Sequence, residues 1–119
     1  MTDLVAILST GKGTWAKVIK LINGEEWNQV FLITNEFGKE NFNNPDNTEL
    51  ILVDSRKSIE VLLEDIKKNL EGKLSGTEIA VNFSSGTGKE HMALLSAILN
   101  LGFGARIVTH TEEGVKTLF

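Results

Sequence analysis

Residues 79–101 read IAVNFSSGTGKEHMALLSAILNL, and this stretch decides the fold. Residues 79–83 are a short apolar run with β-branched side chains, which is typical of a buried strand. Small residues follow at 84–88, and residues 92–101 are then apolar without glycine or proline, a pattern that predicts a helix. In such a strand–loop–helix unit, the backbone N–H groups at the start of the helix converge and can bind an anion.

The loop between this strand and this helix has two interpretations. Its glycines let the backbone approach a phosphate closely, its hydroxyls add donors and Lys89 adds a positive charge, so the loop can bind a phosphate group. Alternatively, one of the hydroxyls only caps the helix. The candidate ligand-binding residues of this segment are Asn82, Ser84, Ser85, Gly86, Thr87 and Gly88.

A second loop near the N-terminus has nearly the same chemistry. Residues 3–8 are an apolar run suited to a central parallel strand, STGKGT follows at 9–14, and an amphipathic helical pattern continues from Trp15. If the two strands are neighbours, both loops face one crevice, which suits a phosphate-containing ligand better than two separate caps. The candidate residues here are Ser9, Thr10, Gly11, Lys12, Gly13 and Thr14.

The rest of the chain alternates strands and helices. The pattern predicts strands at 29–34, 49–54 and 105–109, and an amphipathic helix that starts after Ser58. Residues 35–48 are interpreted as a long loop with a helical turn near 36–42, and residues 111–119 as a short helix. This order predicts an α/β fold with a Rossmann-like, doubly wound, mostly parallel five-stranded sheet flanked by helices. We expect a single domain over residues 1–119, with no effector domain.

The helix predicted at 92–101 has almost no polar face. A helix that is apolar all round is buried on more than one side. In so small a domain we expect a second subunit to supply the extra burial, and a twofold dimer is the commonest arrangement. The alternative is that a neighbouring helix covers this surface within the monomer.

Composition argues against several classes of protein. The net charge is −4 and no basic stripe is visible, which disfavours binding to duplex nucleic acid. No apolar run has the roughly 20 residues of a membrane span, and no signal-peptide pattern opens the chain, so we expect a cytoplasmic protein. With no cysteine, and with only two histidines, His91 and His110, that have no clustered carboxylate partner, the sequence predicts neither a metal site nor a metal cofactor.

Neither loop matches a standard nucleotide-binding motif. In a P-loop the lysine precedes Ser or Thr, whereas here Lys12 precedes Gly13 and Lys89 precedes Glu90. An NAD site would need an acidic residue at the end of the second strand. The residues at that position, which we keep as candidate ligand-binding residues, are Thr34 and Asn35.

Residues 82–89, NFSSGTGK, resemble the asparagine, hydroxyl, glycine, threonine and lysine signature of CARF domains, the CRISPR-associated Rossmann-like sensors of cyclic oligoadenylates. In that family the motif closes the fourth strand, and the following helix often has a methionine near its start, as Met92 is here. The family's other ligand loop follows the first strand, as residues 9–14 do. The sequence departs from the family pattern because Ser85 replaces a glycine and Gly88 separates Thr87 from Lys89.

The resemblance implies a homodimer in antiviral defence whose two crevices form one pocket for a cyclic oligoadenylate or another small nucleotide. It also implies an adenine that stacks on Phe37 or Phe42 in the loop after the second strand, although these side chains could simply anchor that loop. Some family members cleave the ring by attack of a ribose 2′-hydroxyl on the adjacent phosphate, helped by positive charge and without a metal. The catalytic candidates are then Lys12, Lys89 and His91, with His91 as a general acid or base.

Two other functions are compatible with the sequence. The chain could be a Rossmann-like enzyme that acts on a mononucleotide. It could also be a dimerisation or assembly module of a larger protein, with loops that only cap helices and bind no ligand. His91 in that case is a capping or solvent-exposed side chain.

Overall fold

The computed structural model describes residues 1–9 and 12–119. The strands are β1 (Leu4–Leu8), β2 (Val30–Thr34), β3 (Thr48–Leu52), β4 (Glu78–Asn82), β5 (Gly104–Thr111) and β6 (Gly114–Thr117). The helices are α1 (Trp15–Asn23), α2 (Glu36–Asn41), α3 (Ile59–Leu70) and α4 (Gly88–Asn100), and a 3₁₀ turn at Lys12–Thr14 leads into α1.

The strands form one sheet in the order β3-β2-β1-β4-β5-β6. Strands β1 to β5 are parallel, and β6 runs antiparallel to β5. The predicted α/β fold with a mostly parallel sheet between helices is confirmed, and the strand order is compatible with a Rossmann-like fold. The predicted number of five strands is wrong, because the sheet has six.

The sixth strand replaces the helix that was predicted at 111–119. The chain turns back after β5, Gly114 has a φ of +104°, and Val115 pairs with His110. Thr111 Oγ1 donates a hydrogen bond to Gly114 O at 2.9 Å and accepts one from Glu113 N at 3.2 Å, which closes the turn. Val and Thr beyond the turn favour a strand, and β5 offers an open edge for it.

Helices cover both faces of the parallel strands. On one face α3 and α4 pack against the sheet through Leu62, Ile66, Leu94 and Ile98, and on the other α1 packs through its own apolar side. Every residue of β1 is buried, as expected for a central strand with helices on both sides. The core therefore holds β1 and β4 rigidly at the centre of the molecule.

The predicted helical turn after β2 is confirmed as α2. Asn35 caps this helix, since its side chain accepts a hydrogen bond from Gly38 N at 2.9 Å. Gly38 lies directly over the Thr34 side chain, and a Cβ atom at this position would clash with Thr34 Oγ1. A glycine here lets α2 lie close to the end of β2.

Helix α4 packs against α3 on one side but keeps an apolar outer side. Met92 and Leu99 are 58% and 55% exposed, and no charged residue occurs from 92 to 100. The single chain thus leaves part of the predicted all-apolar helix uncovered. Within residues 1–9 and 12–119, no helix combines the length and the apolar character that crossing a bilayer requires.

Candidate functional site

The two glycine-containing loops follow neighbouring strands. Strand β1 pairs in parallel with β4, with Leu4 opposite Ala80 and Ala6 opposite Asn82, so both strands end at the same edge of the sheet. The strand order reverses between them, because β2 and β3 lie beyond β1 while β5 and β6 lie beyond β4. This is the switch point at which open α/β sheets bind ligands. The condition that the two strands before the loops are neighbours is met.

Ser85 connects the two loops through hydrogen bonds. Its Oγ accepts a hydrogen bond from Ser9 N at 3.0 Å and donates one to Ser9 O at 2.7 Å. Thr14 Oγ1 also donates to Ser85 Oγ, at 2.8 Å. A hydroxyl has one donor and two acceptor positions, and in Ser85 all three are occupied by hydrogen bonds to other atoms of the protein. Ser85, predicted as a ligand-binding residue, is buried at 1% exposure and acts on the geometry of the loops.

Glu90 is a buried carboxylate beneath the same two loops. It is 3% exposed, and its Oε1 accepts hydrogen bonds from Ser9 Oγ at 2.9 Å, from Thr87 N at 2.9 Å and from Thr87 Oγ1 at 3.2 Å. Thr87 Oγ1 in turn accepts from Glu90 N at 3.3 Å, which completes a capping box. Sequence reasoning missed Glu90, although Thr87 followed three residues later by Glu is the usual signal for this motif.

The capping box decides which donors remain at the start of α4. It satisfies the N–H groups of Thr87 and Glu90. The N–H groups of Gly88 and Lys89 have no acceptor among the described residues, and a Cβ atom on Gly88 would meet nothing within 4 Å. The capping alternative is therefore part of the structure, yet two backbone donors at the positive end of the helix dipole stay open to an anion.

Asn82 is the last residue of β4, and its side chain forms hydrogen bonds with β5 and with the loop that follows β4. It is 2% exposed, and its Nδ2 donates hydrogen bonds to Val108 O at 2.9 Å and to Ser84 Oγ at 3.1 Å. Its Oδ1 accepts from Ser84 N at 3.2 Å. Asn82 thus ties the loop to β5, and Ser84 is the half-buried residue at which the chain leaves the strand.

Gly86, in the loop after β4, packs against His91, in the first turn of α4. Gly86 has a φ of +103°, and a Cβ atom there would lie 2.5 Å from Ile7 Cγ2. His91 Nε2 lies 2.8 Å from Ser85 O, so this nitrogen carries the proton, because a carbonyl can only accept. The His91 ring also lies against Phe83, with 4.9 Å between ring centroids. Of the two ring nitrogens, Nδ1 is the one left to exchange a proton.

Of the two predicted catalytic lysines, the structure describes the side chain of Lys89 only. Lys89 Nζ donates a hydrogen bond to Lys57 O at 2.9 Å, so its ammonium group reaches the connection between β3 and α3. The predictions for Thr10, Gly11 and the side chain of Lys12 lie outside the described residues. Gly13 is exposed, with open space where a Cβ atom would be.

The candidates at the end of β2 separate into a buried and an accessible residue. Thr34 is 1% exposed, and its hydroxyl donates to Leu8 O at 2.6 Å, so it joins β2 to β1. Asn35 is half-buried and lines an open cleft. Phe42 is buried edge-on against Trp15 and anchors its loop, whereas Phe37 is 49% exposed and lines the same cleft as Asn35.

This cleft has a volume of about 770 Å³ and lies at the carboxyl ends of β2 and β3. Arg56 forms an ion pair with Asp54 across its rim, with Nε at 3.0 Å from Oδ1 and Nη2 at 3.1 Å from Oδ2. Hydrogen bonds from the Arg56 side chain and backbone lower the pKa of Asp54 to about 2. The lining residues are Asn35, Glu36, Phe37, Leu52, Val53, Asp54, Ser55, Arg56, Lys57, Asp65 and Asn69.

In the described part of the chain, no three His, Asp or Glu side chains lie close enough to hold a metal ion. The sequence matches no protein-family model, and no curated protein shows significant similarity to it.

Proposed function

We propose that the chain is a CARF-type sensor domain that binds a cyclic oligoadenylate, with phosphates of the ring on the loops after β1 and β4. The observation that carries this proposal is the joining of two small-residue loops at the switch point by Ser85 and Glu90. The phosphate donors are the N–H groups of Gly88 and Lys89 rather than the serine hydroxyls, since the hydroxyls of Ser9 and Ser85 are already used inside the protein.

The sensor we propose is a homodimer through α4. Met92 and Leu99 are half-exposed on the outer side of this helix, and a twofold axis would bury them against their own copies. Burial of large apolar side chains stabilises such a contact, and the absence of charge from 92 to 100 removes the repulsion that would oppose it. The dimer would bring two crevices to one ring-shaped ligand.

Slow, metal-independent cleavage of the bound ring is the enzymatic form of this proposal. The ribose 2′-oxygen would attack the adjacent phosphorus, break the bond to the 5′-oxygen and leave a 2′,3′-cyclic phosphate and a 5′-hydroxyl. Lys89 can stabilise the developing charge only after its ammonium group leaves Lys57 O, and His91 can exchange a proton only through Nδ1. Both requirements keep the expected turnover slow.

One assay separates these functions. The purified protein is titrated by calorimetry with cyclic tri-, tetra- and hexa-adenylate and with AMP and ATP, without metal, and each mixture is then analysed by chromatography. Binding of one ring supports the sensor, and linear products from that ring identify a ring nuclease. Binding of a mononucleotide alone supports a Rossmann-like enzyme, and binding of nothing leaves an assembly module.

Turnover would be assigned with a Lys12→Ala and Lys89→Ala double variant. We expect it to lose cleavage at least tenfold, because positive charge stabilises the transition state. Unchanged turnover in the double variant would remove both lysines from the mechanism.

A further inference from the structure

Strand β3 is an open edge of the sheet, because it pairs with β2 and with no other strand of the described chain. Two hydrogen bonds fix the register of this pair. Val30 N donates to Asn47 O at 3.0 Å, and Val53 N donates to Thr34 O at 2.9 Å. In a parallel ladder with this register, the N–H and C=O groups of residues 47, 49, 51 and 53 point toward β2. Those of residues 48, 50 and 52 therefore point outward.

Most of the outward backbone groups of β3 have no partner. Thr48 O accepts a hydrogen bond from Asn44 Nδ2 at 3.0 Å. The N–H and C=O groups of Leu50 and Leu52 bond to nothing among residues 1–9 and 12–119. Donors and acceptors that alternate in this way along an edge match the backbone of one more extended strand.

The open cleft described above extends along this edge. Leu52 and Val53, at the end of β3, line it together with Asp65 and Asn69 from the second half of α3. Since β3 and β4 are parallel, α3 runs back toward the start of β3. The lining therefore continues from the carboxyl end of the strand along its α3 side, and the start of α2 forms the opposite wall.

The two sides of the cleft differ in polarity. Ile51 and Val53 pack into the core beneath α3, so the Leu52 side chain faces the α2 side of the sheet, where it is 39% exposed. On the α3 side, Asp65 is half-buried, and the nearest cation is Lys57 Nζ, at 3.8 Å from Oδ2. An added strand would thus meet an apolar surface with one set of alternate side chains and a carboxylate with the other set.

The charge of the cleft selects for a basic segment. Its lining contains the carboxylates of Glu36, Asp54 and Asp65 against the cations of Arg56 and Lys57. The whole chain has a net charge of −4. Positive side chains on an incoming strand would be attracted by both the local and the overall charge, whereas a second copy of β3 would bring the same carboxylates against this surface.

We propose that the outer edge of β3, between α2 and α3, binds an extended basic segment of a partner protein by addition of a strand to the sheet. Leu50 and Leu52 supply the backbone hydrogen bonds, and Asp65 selects lysine or arginine. This interaction uses neither of the loops after β1 and β4, so it is independent of the proposed binding of a cyclic oligoadenylate.

The test uses three capped synthetic peptides of seven residues and ¹⁵N-labelled protein. The first peptide alternates valine and lysine, the second alternates valine and glutamate, and the third is the lysine peptide N-methylated at every internal residue. The lysine peptide should shift the amides of Leu50 and Leu52 and slow their hydrogen exchange, because these N–H groups become bonded. The other two peptides should bind at least about tenfold more weakly, since one lacks the charge and the other lacks the backbone donors.

Two variants of the protein test the backbone and the charge separately. Leu52→Pro removes an outward N–H that makes no bond within the sheet, so the fold should persist while binding of the lysine peptide is lost. Asp65→Lys should weaken binding of the same peptide about tenfold by reversing the charge on the α3 side. Glu64→Lys is the matched control, because Glu64 is exposed on the same helix but does not line the cleft, and it should bind nearly as wild type does.

Three results would overturn the proposal. The first is equal binding of the lysine and glutamate peptides, or no binding of either. The second is binding of the lysine peptide without protection of the Leu50 and Leu52 amides. The third is a shift of these two amides with protein concentration alone, together with a dimer in sedimentation, which would assign the edge to a second copy of the chain. Failure of cyclic oligoadenylates to bind would contradict the proposed function and leave this edge site standing.

Discussion

The two regions at the carboxyl edge of the sheet are built in opposite ways. Around β1 and β4 the polar side chains of Ser9, Ser85 and Glu90 are buried and hydrogen-bonded to one another. Around β2 and β3 the polar and aromatic side chains line an open cleft, and the Arg56 side chain is 90% exposed. The hydroxyls of the first region shape a backbone surface, while several side chains of the second are exposed on the cleft wall.

The largest expected effect on stability comes from removing the buried carboxylate of Glu90. Glu90→Ala leaves Thr87 N and Ser9 Oγ without their acceptor and removes half of the capping box, so we expect a loss of about 3 kcal/mol in the free energy of unfolding. Urea denaturation measures this free energy of unfolding. Glu60→Ala, in the exposed first turn of α3, is the control and should stay within about 0.5 kcal/mol of wild type. Equal stability of the two variants would show that Glu90 does not hold the loops.

An effect of intermediate size is expected from replacing one serine in each region with alanine. Ser85→Ala removes three hydrogen bonds between the loops and leaves Ser9 N buried without its acceptor, so unfolding should become easier by about 2 kcal/mol. Ser55→Ala, the same change in the open cleft, should be nearly neutral. The comparison between the regions fails if both substitutions cost the same in thermal and urea unfolding.

The smallest effect concerns the exposed ion pair. In Arg56→Ala the pKa of Asp54 should rise from about 2 part of the way toward its ordinary value of 3.8, because the side-chain donors are lost while the backbone N–H of residue 56 still donates to Oδ1. A carboxyl whose folded pKa is lowered adds stability above its unfolded pKa and loses it as the pH falls, here between about 4 and about 2. An NMR titration of the Asp54 carboxyl measures the shift. A pKa that stays near 2 in the variant would show that Arg56 is not its cause.

Much of the fold was predictable because the central strands β1 and β2 are apolar runs bounded by small or polar residues. The α/β pattern placed both loops at the carboxyl ends of their strands, and the pairing of β1 with β4 then made them neighbours. The C-terminal segment was not predictable in the same way. Glu112 and Glu113 resemble the acidic first turn of a helix, whereas the deciding interaction is pairing with β5, which local sequence does not show.

The candidate site was predictable by position but not by role. Thr34 was correctly placed at the end of β2 and Ser85 in the loop after β4, yet their hydroxyls bond to the protein itself. Glu90 carried a recognisable capping pattern, but its reach to Ser9 depends on a contact across 81 residues of sequence. Phe37 and Phe42 could not be separated either, because packing against Trp15 decides which ring is buried.

The central claim is that the two loops form one anion-binding surface whose donors are backbone N–H groups of α4. Gly88→Glu tests it, since it places a carboxylate in open space beside those donors, at a helix position that tolerates an acidic residue. Gly104→Glu adds the same charge at the opposite edge of the sheet, where a Cβ atom meets only Thr77 O at 3.7 Å. Calorimetry with cyclic tetra-adenylate on both variants and the wild type should show at least tenfold weaker binding for Gly88→Glu alone. Equal affinity of all three proteins would contradict the claim.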